Sequence, residues 1–239
     1  MNYEIIKNPE ELKAFIEWLP ELTNKDKYYV ALFARKKYNG TPGLKADKQQ
    51  LKRFTSCKKR LYNKIAQLEV RKGLYMSGDL VINEESLALY ISPNPRNMVR
   101  STLLLKHELT LAELDGRVID NINSLSMNII QNSTRKGRID WDLDLTPSGL
   151  ELDRDFIFNK IKMDLSEIIN IDAVAIIETH GGFHLLVDSK LVSNYFRKSW
   201  FINLSNLNSD YFKISKNKSE LIPVPGCIQG NRSPKMRTV

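Results

Sequence analysis

The spacing of apolar residues changes register several times along the chain, and each change marks an element. "NPEELKAFIEWLPEL" has helical periodicity behind a capping Asn8 and a first-turn Pro9, with glutamates at the positive end of the helix dipole. "KYYVALFARKKY" reads as a strand, "NGTPG" as a loop, and the segment from about Lys48 to Val70 as one basic helix. "LALYISPNPRNM" is a strand stopped by two prolines. "VRSTLLLKHELTLAELDGR" and "NINSLSMNIIQN" are helices.

The second half opens on the strand "GRIDWDLDL", broken by "TPSG". The amphipathic helix "ELDRDFIFNKIKMDLSEII" follows, with Phe156, Ile157, Ile161, Leu165 and Ile168 as its apolar positions. "DAVAIIETHGGFHLLVD" is two β-rich runs joined by "THGG", a hairpin pattern. "KLVSNYFRKSWFINLSNL" reads as a helix, and the Pro/Gly-rich "ELIPVPGCIQGNRSPKMRTV" closes the chain. The mixture predicts an α+β fold, divided into a basic, helix-rich N-terminal α/β subdomain (1–115) and a second unit (116–239). A strand–helix–hairpin motif stands at the centre of that second unit.

Within "IDWDLDL" the alternation has period two, so Asp140, Asp142 and Asp144 share one face while Ile139, Trp141, Leu143 and Leu145 share the other. Three like charges on one face repel, which makes their purpose a question. Carboxylates held close on a rigid strand suit Mg²⁺ or Mn²⁺, hard cations that prefer oxygen ligands. An acidic strand turned to solvent is the plain alternative.

Composition limits the answer. The 239 residues are 42% apolar and 27% charged, and no apolar run approaches the ~20 residues needed to span a bilayer. The polar N-terminus shows no signal or transit pattern, and two cysteines, Cys57 and Cys227, are too few for a zinc ribbon or a disulfide scaffold. A reduced cytoplasmic setting without membrane contact is the expectation. The net charge of +8 is concentrated: between Arg35 and Lys72 there are 13 Lys/Arg against 2 Asp/Glu. Lys52, Arg53, Lys58, Lys59 and Arg60, with Phe54 and Tyr62 among them, suit a nucleic-acid backbone. Cations displace counterions from phosphates, and aromatic faces stack on bases. An ordinary solvated helix has the same composition.

The hairpin narrows the choice. "ETHGGFHLLV" sets Gly181 and Gly182 at the turn, flanked by His180 and His184, two of the three histidines in the chain. Glycine permits close approach of a ligand to the backbone, and a histidine beside it can donate to a phosphate oxygen. His107, inside a helix, reads as structural.

With "WDLDL" upstream of "ETHGGFH", the sequence resembles the archaeo-eukaryotic primase superfamily of primases and primase-polymerases. Those enzymes have a hydrophobic strand ending in D-x-D and, downstream, an S-G-x-x-G-x-H-like hairpin. "LALYISPNPRN" is similar to an N-P-R element of plasmid and phage members, and the likeness runs from about residue 87 onward. The resemblance implies a primase-polymerase core whose second unit is an RRM-like catalytic palm. It also implies that Asp142 and Asp144 bind metal and that His184 contacts the incoming triphosphate. The family's serine is Glu178 here, and the arginine before its second glycine is absent. For a third metal-binding acid, Glu220 is first by position and Asp210 second. Gly182, His180, Arg232 and Lys235 are candidates for the nucleotide site, the last two from a segment similar to the P-G-T-x-x-G stretch of mobile-element members.

The resemblance thus implies a DNA primase or primase-polymerase domain, able to belong to a longer protein. Its expected cofactor is Mg²⁺ or Mn²⁺, and its partners are single-stranded DNA template, an NTP or dNTP, and a helicase or other replication protein. The alternatives are a catalytically weak replication-initiation or single-strand-binding module, and a metal-dependent nuclease. A rolling-circle nuclease fits less well, because its metal-binding histidines are one residue apart, whereas three residues separate His180 from His184.

Overall fold

A single long strand organises the first half of the chain in the computed structural model, which describes residues 1–134, 137–207, 209–217 and 221–237. Before it, α1 (Pro9–Trp18) is capped by the Asn8 side chain, which accepts the amide hydrogens of Glu10 and Glu11. The strand is β1 (Asp26–Arg35), buried almost end to end. A single 3-10 turn, Lys36–Tyr38, follows it. Then come β2 (Lys48–Ser56), α2 (Lys58–Ala66), the small hairpin β3 (Met76–Ser77) and β4 (Leu80–Val81), β5 (Leu87–Ile91) and β6 (Arg96–Asn97). The helices α3 (Met98–Leu114) and α4 (Ile122–Asn132) complete this half. Within the sheet β1 lies between β2 and β5, both antiparallel to it.

One expectation is corrected here. The 48–70 segment is not one helix: its first nine residues form β2, an edge strand, and only then does α2 begin. Lys, Gln, Leu and Arg are good helix formers, but pairing along β1 outweighs that local preference. The register jumps between Leu32 and Phe33, leaving Leu51 as an extra residue in β2. The bulge lets Leu51 and Phe54 both reach the core. Lysines on such a strand also discourage edge-to-edge aggregation.

The second half runs β7 (Arg138–Leu145), α5 (Pro147–Leu150), α6 (Arg154–Ser166), β8 (Val174–Glu178), β9 (Gly182–Asp188), α7 (Trp200–Ser205) and β10 (Phe212–Lys216). Leaving aside the four-residue α5, this is a β-α-β-β-α-β unit. Its strands stand in the order β10-β7-β9-β8, with all neighbours antiparallel. The long helix expected over 190–207 is shorter: only Trp200–Ser205 is α-helical. Asn170 holds the preceding stretch in turns, donating to the Leu191 carbonyl and accepting from the Ser193 amide.

The last segment joins the two sheets. β11 (Ile222–Pro223) pairs with β5 in the first sheet, and β12 (Lys235–Arg237) pairs with β8 in the second. On one face of the second sheet Trp141, Leu143, Phe183 and Leu185 are covered by Ile157, Ile161 and Leu165 of α6 and by Trp200 and Leu204 of α7. On the other face Ile177 and Leu186 join the core of the first sheet. The aspartates of β7 share that second face, so they look toward the first half of the chain. Among the described residues no helix is long and apolar enough to cross a membrane.

Candidate active site

The β7–β9 ladder sets the site. Asp142 lies directly across from His184, Asp144 across from Gly182, and Asp140 across from Leu186. Period-two alternation puts the three carboxylates on one face in graded exposure: Asp140 is 5% exposed, Asp142 half-buried and Asp144 open. His184, 7% exposed, stands among them. Its Nδ1 is 3.0 Å from Asp140 Oδ1, and its Nε2 is 3.7 Å from Asp142 Oδ1. A carboxylate oxygen accepts, so Nδ1 carries the hydrogen and Nε2 is the atom presented to Asp142. Asn217 completes the pair by donating its side-chain amide to Asp140, while its backbone N–H donates to the Asp140 carbonyl at 3.0 Å. Asp140 is thus a supporting acid.

The charges are coupled. Burial raises the pKa of Asp142, the neighbouring Asp144 and Asp140 raise it further, and His184 and Lys37 oppose that shift. Burial works against a charged His184, but the charge and hydrogen bond of Asp140, with Asp142 and Asp144 behind it, raise its pKa on balance. Adjacent carboxylates that repel one another favour a cation between them. Mg²⁺ is commonly held by only one or two carboxylates together with substrate phosphates. Asp142 and Asp144 fit that requirement. Among the described residues no three His, Cys, Asp or Glu side chains converge as a metal cage. Glu220 lies outside the described residues. Asp210 sits at the Asp144 end of β7, where its carbonyl accepts from Thr146 Oγ1 at 2.6 Å.

One cation, Lys37, faces the carboxylates, and others lie beyond it in positions the sequence did not disclose. Lys37, in the turn after β1, has its pKa lowered by burial and by Arg35, and is drawn back up by Asp142 and Asp144. Arg35, 9% exposed, bonds the Tyr90 hydroxyl and the Asp47 carbonyl, and Lys48 lies over the rings of Phe33 and Tyr90. Arg154 donates to the His180 carbonyl at 3.1 Å, and its Nη1 is buried with no hydrogen-bond partner among the described residues. The His180 ring is 5.3 Å from Tyr38, and its pKa is lowered by burial and by Arg232, Lys37 and Arg154. The backbone of His180 is fixed by the Gln229 side chain at 2.8 Å.

The glycines act differently from a turn requirement, since neither Gly181 nor Gly182 has positive φ. A Cβ on Gly182 would sit 1.8 Å from the Leu143 carbonyl oxygen, so glycine is needed for β9 to close on β7. A Cβ on Gly181 would meet only Asp144 Oδ1, at 3.9 Å.

Other candidates lie elsewhere. Lys235 is on β12, three strands from β7, or about 14 Å at the usual interstrand spacing. Lys58 reaches back to α1, bonding the Glu17 and Leu19 carbonyls and pairing with Glu21. Arg53 is held by Asn128 and Ser124 of α4. Lys52, Lys59 and Arg60 are exposed. β2 starts at Lys48, so Lys52 lies about 13 Å along the strand from it.

Comparison with protein-family models, with curated proteins and with solved structures found no match to this chain. The fold and site define an α+β protein whose β-α-β-β-α-β unit presents clustered carboxylates toward Lys37.

Proposed function

We propose that the chain is a template-dependent nucleotidyltransferase of the primase or primase-polymerase kind. The observation that carries this reading is the Asp142–His184 ladder pair, with Asp144 beside it and Lys37, Arg154 and Arg232 around it. Carboxylates that favour a divalent ion, set against cations that favour a polyphosphate, are what phosphoryl transfer requires. The strand order β10-β7-β9-β8 supports it further, because it is the order of an RRM-like palm.

In the reaction a sugar hydroxyl attacks the α-phosphate of a nucleoside triphosphate. The new P–O bond forms as the bond to the β-phosphate breaks, pyrophosphate leaves and the hydroxyl proton passes to water. Asp142 and Asp144 would hold a Mg²⁺ or Mn²⁺ ion, which would supply positive charge to offset the charge of the reacting phosphates. Asp140, fixed by Asn217, orients the His184 ring so that Nε2 faces Asp142 and the space beside it. Lys37, His180, Arg154 and Arg232 hold the phosphates, and the exposed cations of β2 and α2 receive the single-stranded template. Catalysis is then positioning and charge neutralisation.

Primer synthesis on single-stranded DNA, with NTPs or dNTPs and either metal, tests the proposal. Strand cleavage without pyrophosphate release would point to a nuclease instead. A second reading, a weakly catalytic single-strand-binding or replication-initiation module, is favoured by the two-carboxylate donor set among the described residues. Mn²⁺ with NTP should raise the melting temperature of the wild type but not of Asp142→Ala if the site binds nucleotide.

A further inference from the structure

α3 is a 17-residue helix that buries only Ser101 and Ala112. At 100° per residue Val99, Leu103, Thr110 and Leu114 fall within about 60° of one another, on the side opposite those buried positions. Val99 is 47% exposed, Leu103 63% and Leu114 77%. The Thr110 hydroxyl is already bonded to the Lys106 carbonyl at 3.0 Å, so it is not a free donor toward a partner. Val118 and Ile122, just beyond the helix, are exposed as well. A stripe of this kind on a surface helix marks an interaction site.

The charges say what covers it. Lys106 and Glu113, both exposed, lie on the same flank of the stripe, seven residues apart. Arg100 lies in the first turn and Lys106 at the midpoint of the helix, whereas Glu108 and Glu113 lie in its C-terminal half. This polarity complements itself when reversed. We infer that α3 pairs antiparallel with α3 of a second copy of this chain, about a two-fold axis that crosses the apolar stripe at the level of Glu108 and Leu109 along the helix. Leu103 then faces Leu114 of the second copy, and Lys106 meets Glu113 of the second copy within about two residues, or ~3 Å, of axial offset. The contact occurs twice by symmetry, which is what an isologous interface demands. Antiparallel helix dipoles add to it. A helix about 25 Å long supplies less than the ~1,200 Å² of a tight complex, so the dimer is weak and concentration-dependent. The inference is independent of the proposed catalytic role.

Sedimentation velocity of the full chain across a wide concentration range is the test. Wild type should shift from monomer toward dimer as concentration rises, and Leu103→Asp should remain monomeric with an unchanged melting temperature. Lys106→Glu and Glu113→Lys should each weaken the dimer by several-fold, and the double exchange Lys106→Glu/Glu113→Lys should restore it. A wild type that stays monomeric throughout, a dimer that survives Leu103→Asp, or a double exchange no tighter than the single variants would overturn the proposal.

Discussion

Asp140 and His184 form a buried pair, Nδ1 to Oδ1 at 3.0 Å, two residues along β7 from the half-buried Asp142. Removing one member of such a pair leaves the other charge without its partner, at a cost of about 3–5 kcal/mol. Chemical denaturation of His184→Ala should show a loss of that order. Asp142→Asn should do the opposite. Burial and the adjacent Asp144 and Asp140 disfavour the ionised Asp142, so a neutral amide relieves repulsion while removing a metal ligand. Its melting temperature should rise while nucleotidyl transfer vanishes, the trade expected of a strained functional group.

The two glycines of the hairpin should separate cleanly. Gly182→Ala forces a Cβ to within 1.8 Å of the Leu143 carbonyl and must push β9 off β7, so the protein should lose several kcal/mol or fail to fold. Gly181→Ala meets ordinary van der Waals contact and should melt within about 0.5 kcal/mol of wild type. Equal effects in thermal melts would contradict the close-approach account.

For the template, Lys52, Lys59 and Arg60 are exposed, whereas Lys58 is engaged with α1. Neutralising the three exposed cations together should lower the salt slope of single-strand binding by about 2, at ~0.7 per phosphate contact. Lys58→Gln should instead lower stability and leave the slope nearly unchanged. Fluorescence-anisotropy titrations at several salt concentrations distinguish the two.

At the far side of the first half, Glu84 ties the N-terminal segment down through Lys7 and Lys72 and accepts the Glu4 amide at 3.1 Å. Burial alone would raise its pKa, but the hydrogen bonds from Lys7 and Lys72 outweigh burial and bring it from 4.5 to about 2. A depressed carboxylate stabilises the fold above its unfolded pKa and loses that contribution as pH falls through the folded one. The stability gap between wild type and Glu84→Gln should therefore be full near neutrality, shrink below pH 4.5 and close near pH 2. A gap that is constant with pH would show that the ion pairs contribute nothing.

Local pattern carried much of this arrangement. The alternation in "IDWDLDL" gives both the strand and the shared face of its aspartates, and "THGG" gives the hairpin that brings His184 opposite Asp142. What could not be read is long-range. Lys37 reaches the carboxylates only because the turn after β1 is brought against the second sheet, and nothing in "ARKKY" signals that. The need for Gly182 is fixed by a carbonyl 39 residues earlier, at Leu143. Asn217 looks like any loop residue until its amide is seen on Asp140. The 48–70 segment misled because its helix-forming residues are held extended by pairing with β1.

The central claim rests most directly on one assay: extension of a primed single-stranded DNA template in Mn²⁺ or Mg²⁺, with pyrophosphate release followed in parallel, for wild type and Asp142→Asn. The account predicts stoichiometric nucleotide addition and pyrophosphate release by the wild type, and neither by a folded Asp142→Asn protein. Extension that persists in Asp142→Asn, or a wild type that adds no nucleotide under any combination of metal and nucleotide while remaining folded, would contradict it.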